Sequence, residues 1–150
     1  MLAEPVALCR LSPSEPVPAW TAEAREFLTV SRTPTELSIV ADESVVPPAA
    51  DAQRGYRVLR VEGPLPLELV GVFAAMAGPL AAMNVPIFPI ATYDTDYLLV
   101  HDAMLERAIA ALTSAGHVVR YAATDAPSGA ERDEVASGSR TGASHQDSPA

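Results

Sequence analysis

The residues best equipped for chemistry cluster in Thr92-Tyr93-Asp94-Thr95-Asp96, with His101 and Asp102 just beyond. Carboxylates, hydroxyls and an imidazole this close in sequence could hold a cation or share a proton. Their spacing fits neither task. Asp94-Thr95-Asp96 opens like a calcium loop, but that loop needs Gly at its sixth position and Glu at its twelfth, and these are Leu99 and Leu105. Asp96 and His101 fall at opposite ends of a short strand and cannot form an acid–base dyad. The simpler expectation is that Asp94 and Asp96 make turn hydrogen bonds and that Asp102 caps a helix. Cys9 is the single cysteine. It has no disulfide partner within the chain, so a reduced, buried, structural thiol is expected. One Cys and three His give no zinc spacing. Ser38 and Ser44 lack a nucleophile-elbow context, and residues 63–71 lack the lysine and glycine spacing of a phosphate loop. The chain is therefore read as non-enzymatic, with no catalytic residue, metal or cofactor.

The elements that hold this corner follow from pattern. Ile87, Phe88 and Ile90 before it, and Tyr97 to Val100 after it, are apolar and aromatic runs that predict a hairpin. Pro86 and Pro89 cannot donate to a ladder, which places the first strand at a sheet edge. Upstream, Leu69, Val72, Phe73, Met76, Leu80 and Met83 recur at helical steps. Gly78-Pro79 within that stretch predicts a kink or break, because the proline clashes with the carbonyl of Ala75. Downstream, Leu105, Ala108, Ile109 and Leu112 form the stripe of a second helix, ended by Gly116. Residues 56–61 and 117–121 read as strands.

Residues 6–11 predict a strand, residues 20–26 a turn or two of helix, and the alternation through 27–42 a hairpin turned at Pro34. Residues 44–55 are expected to hold a short helix closed at Gly55. From Tyr56 the order is strand, helix, strand, strand, helix, strand, the ferredoxin-like unit. The first half repeats it in degraded form. The fold class is α+β, with two small modules that share one sheet or pack face to face. From residue 122 onward Ser, Gly, Ala and acidic residues dominate, which predicts disorder.

The formal net charge is -9. That excludes nucleic acid and anionic membrane surfaces as expected partners, since both recruit Lys and Arg. The longest apolar stretch, residues 69–83, is too short to span a bilayer. The first residues lack a basic region followed by an apolar core, so no signal peptide is expected and the cytoplasm is the expected compartment.

Residues 71–82, ending in Gly-Pro-Leu-Ala, and residues 87–100, with Ala-Thr-Tyr-Asp-Thr-Asp-Tyr, resemble the ACT domain of the cytosolic arginine-sensor type. That type is also similar to the regulatory ACT domains of aspartate kinases. Residues 27–40 resemble the companion half of these proteins. The resemblance covers residues 6–121. It implies an N-terminal ACT-like half over 1–55 and an ACT domain over 56–121, and leaves out the tail over 122–150, whose composition predicts disorder. It implies regulatory binding of an amino acid between ACT modules, in a homodimer, or alternatively a ligand-free ACT scaffold acting as a protein–protein interaction module. Carried over residue by residue, the implied ligand-binding residues are Gly71 and Val72 at the helix start, Thr92 and Tyr93 at the strand end, and Asp96 in the turn. Asp96 could pair an ammonium or guanidinium, and the backbone around Gly71 could meet a carboxylate. One departure concerns the ligand. The sensors have a further carboxylate two residues before this Gly, where the present chain has Leu69.

Overall fold

The computed structural model describes residues 1–121. The tail expected to be disordered lies outside the described residues. The element order is β1 (Val6–Leu11), β2 (Leu28–Arg32), β3 (Leu37–Asp42), β4 (Ala52–Arg60), α1 (Val72–Ala82), β5 (Phe88–Ala91), β6 (Asp96–His101) and α2 (Leu105–Ser114). Short 3₁₀ turns lie at Ala19–Glu23, Glu43–Val45 and Asp102–Met104. The six strands form one antiparallel sheet in the order β2-β3-β1-β4-β6-β5. The fold class is α+β, as expected from the sequence, and the two modules share one sheet.

The order of strands shows how. A ferredoxin-like unit places its four strands in the order 4-1-3-2. Here β4-β1-β3-β2 satisfies that order for the first repeat and β4-β6-β5 for the second. Thus β4 closes the first repeat and opens the second. Its first part pairs with β1 (Tyr56 with Val6, Ala52 with Cys9), and its last five residues pair with β6 (Tyr56 with His101 through Arg60 with Tyr97).

A bulge separates the two uses. Opposite Val6 to Leu8, β4 carries an extra residue between Gln53 and Tyr56. Gly55 lies there at φ 76°, a conformation that costs glycine little, and its N–H donates to Glu43 Oε2 at 2.7 Å. The helix expected over 44–55 is therefore not formed. Glu43–Val45 makes one 3₁₀ turn, the Ala50 N–H closes another on the Pro47 carbonyl at 2.9 Å, and Gly55 is a bulge residue rather than a helix end.

One sheet face carries two apolar clusters. Leu59, Leu98 and Val100 pack under Met76 and Leu80 of α1 and Ala108, Ala111 and Leu112 of α2. Ala7, Cys9, Leu37, Ile39 and Ala41 pack with Val46, Trp20 and Ala24. The opposite face holds Val6, Val40, Val58 and Leu99, flanked by Phe27 and Tyr97 in an edge-to-face pair with centroids 5.1 Å apart.

Other expectations need correction. α1 runs unbroken through Pro79 and starts at Val72, so Leu69 lies outside it. Phe73 is 37 % and Met83 48 % exposed, and only Met76 and Leu80 of α1 are buried. Asp102 does not cap α2. A 3₁₀ turn precedes the helix, and its cap is the side chain of His101, whose Nδ1 accepts from the Ala103 N–H at 3.2 Å. Residues 117–121 form no strand, because β1 already pairs with β4 and Leu2 N–H bonds the Val58 carbonyl at 2.9 Å on the same edge.

Candidate functional site

The turn between β5 and β6 is held by threonines. The N–H and Oγ1 of Thr92 both donate to the Thr95 carbonyl, at 2.9 and 2.8 Å. Thr95 is 3 % exposed, and its hydroxyl donates to the Val61 carbonyl at 2.8 Å. Asp94 and Asp96 contribute their backbone carbonyls instead of the side-chain bonds expected of them. Leu65 N–H donates to Asp94 O at 2.8 Å, and Val61 N–H to Asp96 O at 2.9 Å. These bonds fasten the loop between β4 and α1 onto the turn, so one rigid corner is made from two parts of the chain distant in sequence. Gly63 allows the approach. A methyl group added there would lie 2.9 Å from the Asp94 carbonyl oxygen and 3.1 Å from Thr95 Cβ.

Thr92, Tyr93 and Asp96 thus share one turn. Tyr93 is 80 % exposed. Asp96 is half-buried, the first residue of β6, and pairs with Ala91. Gly71 and Val72 stand at the far end of the fastened loop. Gly71 is the N-cap of α1 at φ 84° and ψ -3°, and no side chain caps the helix there. Among the described residues, a methyl group built on Gly71 would meet nothing within 4 Å, and the N–H groups of the first helical turn have no partner within the helix itself. Val72 differs from the others, for its side chain packs against the core under α1. What it can offer a ligand is its N–H. Thr95 and Gly63 were not among the ligand-binding residues implied by the resemblance. The Thr-x-x-Thr spacing hinted at a turn, but the Val61 partner of Thr95 could not be read locally.

The surroundings of this corner are apolar and exposed. Leu67 is 70 % exposed and Val70 88 %, with Leu69 and Phe73 beside them in sequence. Among the described residues, no group of three or more His, Cys, Asp or Glu could hold a metal ion. No helix among them is long and apolar enough to cross a membrane.

Comparison with known proteins agrees with this architecture. A family model described as an ACT domain matches residues 51–114, and a model described as an N-terminal domain matches residues 4–49. A crystal structure of an Agobacterium tumefaciens protein superposes with a TM-score of 0.70 at 30 % identity, covering 79 % of this chain and 92 % of that one. A Vibrio cholerae protein of unknown function gives 0.60 at 21 % identity, covering 77 % and 87 %. Aspartokinase α and β subunits give 0.52 at 16 % identity, covering 77 % and 93 %, a likeness of fold. No curated protein matches the chain. The chain is an ACT-domain protein, with its ACT domain at residues 51–114, and belongs to the family of the Agobacterium tumefaciens protein.

Proposed function

We propose that this is a non-catalytic, regulatory ACT protein of the cytoplasm that binds an amino acid at the corner between the 61–71 loop and the 92–96 turn. The observation that carries this reading is the hydrogen-bonded fastening of loop to turn, with a helix start at Gly71 beyond it that no side chain caps among the described residues. A prearranged corner of this kind suits a zwitterion. The N–H groups of the first turn of α1 receive its carboxylate, and the Asp96 carboxylate receives its ammonium. Thr92 and Tyr93 flank the same turn.

The corner is half a site. Leu67, Leu69, Val70 and Phe73 expose apolar surface around it, and α1 is apolar on every side while burying only Met76 and Leu80. A helix of that composition needs cover on its outer face. A second copy of the chain supplies it, which makes the protein a homodimer with the amino acid at the interface. The same apolar surface favours a second reading, in which the ACT fold is a ligand-free scaffold for protein–protein interaction.

Thermal melting of the full chain against each of the twenty amino acids separates the two. A ligand near a hundred times its Kd stabilises by about 2.7 kcal/mol, which raises the melting point by several degrees. A shift with one amino acid or a narrow group, together with a dimer mass by light scattering, supports the regulatory reading. No shift with any of them leaves the scaffold reading.

A further inference from the structure

Beyond Tyr56, one edge of β4 has no strand beside it. β1 starts at Val6, opposite Tyr56, and among the described residues no strand pairs with Val58 or Arg60 on that side. Along an antiparallel strand the N–H and C=O groups point alternately to one neighbour and to the other. The Val61 N–H donates to the Asp96 carbonyl of β6 at 2.9 Å, so Val58 and Arg60 direct their groups to the edge that β1 leaves open. In a ferredoxin-like unit this is the place of the fourth strand. The segment with the composition to fill it, His117-Val-Val-Arg-Tyr121, stands instead across a half-open space of about 480 Å³. Val118 is 80 % exposed there and Tyr121 55 %.

The N-terminus holds the two apart. Leu2 N–H donates to the Val58 carbonyl at 2.9 Å, and the Met1 nitrogen donates to the Arg120 carbonyl at 2.7 Å. These two acceptors match. With 117–121 laid antiparallel on β4 and Val119 beside Leu59, Arg120 falls opposite Val58 and Val118 opposite Arg60, and both pairs are of the hydrogen-bonded kind. That register asks no side chain to change face. Leu59 and Val119 already pack on the core beneath α1 and α2, and His117, on the same face as Val119, already reaches the Ala75 carbonyl of α1. The Val58 and Arg120 carbonyls that would pair in it are the ones that residues 1 and 2 now occupy.

We propose that residues 1–4 and residues 117–121 compete for this edge of β4. The N-terminus is a wedge, and 117–121 is a strand poised to dock when the wedge leaves. Docking supplies two hydrogen-bonded pairs, up to four backbone bonds, against the two that residues 1 and 2 make. The wedge has burial on its side. Met1 packs against the core under the helices, and Leu2 against the cluster on the opposite face. Burying two large apolar side chains outweighs a small surplus of backbone bonds, whose net contributions are modest. A partner that captures residues 1–4 removes that burial, completes the second repeat and closes the space beside it.

The test is amide hydrogen exchange followed by NMR, on the full chain and on the chain lacking residues 1–4. In the full chain the Val118 and Arg120 amides should exchange rapidly. Without residues 1–4 both should slow about tenfold or more, and the carbon shifts of 117–121 should move to strand values. Val118→Pro removes a docking N–H. It should cancel the slowing at Arg120 in the shortened chain and change little in the full one. Leu2→Pro keeps the chain length and removes the N–H that bonds Val58. It should slow the same two amides in part, and it decides alone if the shortened chain does not fold. Unchanged exchange at Val118 and Arg120 in both variants overturns the proposal, and so does slowing at Arg120 that survives Val118→Pro.

Discussion

His117 Nε2 lies 3.2 Å from the carbonyl oxygen of Ala75, the group that Pro79 leaves without its helical donor. A proline within α1 thus has a replacement donor from beyond α2, and α1 continues through it. The coupling is testable by a double-mutant cycle. His117→Ala should cost about 1 kcal/mol by urea denaturation. In a Pro79→Ala background, where residue 79 has its own N–H, the same change should cost much less. Equal costs in both backgrounds would show that the histidine does not replace the lost helical bond.

The 2 % exposed Asp42 carboxylate accepts the N–H groups of Arg25, Glu26 and Phe27 at 2.6, 2.9 and 2.8 Å. It thereby fixes the segment that places Phe27 over the sheet. Asp42→Ala leaves three donors without their acceptor. A loss of about 2–3 kcal/mol in unfolding free energy is expected, and a loss below about 0.5 kcal/mol would show that the segment holds without it.

Thr95→Val preserves shape and removes the hydroxyl that bonds Val61. Stability should fall by about 1 kcal/mol. Binding of the amino acid that gives the largest thermal shift should weaken as well, because one of the three bonds that fasten the loop to the turn is lost and two backbone bonds remain. Calorimetry reads both parts, and unchanged affinity would separate the fastening from the site.

Asp96→Asn keeps the turn but removes the charge proposed to hold the ligand ammonium. Affinity should fall about ten- to a hundredfold. Asp94→Asn is the control and should change little. Equal losses at both positions would point to overall negative charge rather than one contact.

Cys9 is buried, and burial pushes its thiol above the ordinary value; the Arg54 guanidinium partly opposes the rise and Asp51 adds to it. A raised folded-state value leaves stability untouched at neutral pH. The unfolded chain then ionises first as pH climbs past about 8.5, so the fold loses stability there and goes on losing it up to the folded value. Cys9→Ala should flatten this alkaline slope in denaturation curves taken from pH 7 to 10. An unchanged slope would assign it to other groups.

Much of this architecture is legible in local pattern. The alternation through 27–42 becomes the β2–β3 ladder, from Leu28 opposite Ala41 to Arg32 opposite Leu37. Pro86 and Pro89 mark β5 as an edge, and β5 ends the sheet. The turn residues Thr92, Tyr93 and Asp96 do lie together. What was not legible depends on partners far away in sequence. Gly55 at positive φ fits a helix end or a bulge equally well, and only the pairing of β1 with β4 selects the bulge. In α1 nearly every residue is apolar, so helical steps cannot tell the buried Met76 from the exposed Phe73. Residues 117–121 have strand composition, but their place on the sheet was taken by residues more than a hundred positions earlier. Thr95 looked like a turn residue, and its bond to Val61 spans 34 positions.

The double membership of β4 bears on how the molecule comes apart. Two repeats joined by a linker can melt in turn, each keeping its own sheet. Here the removal of either repeat strips one flank from a strand that the other needs, so neither has a stable intermediate to rest in. Heat or denaturant should therefore meet one cooperative barrier instead of two, and a ligand held at the end of β4 steadies Cys9 and Ile39 as much as Leu98.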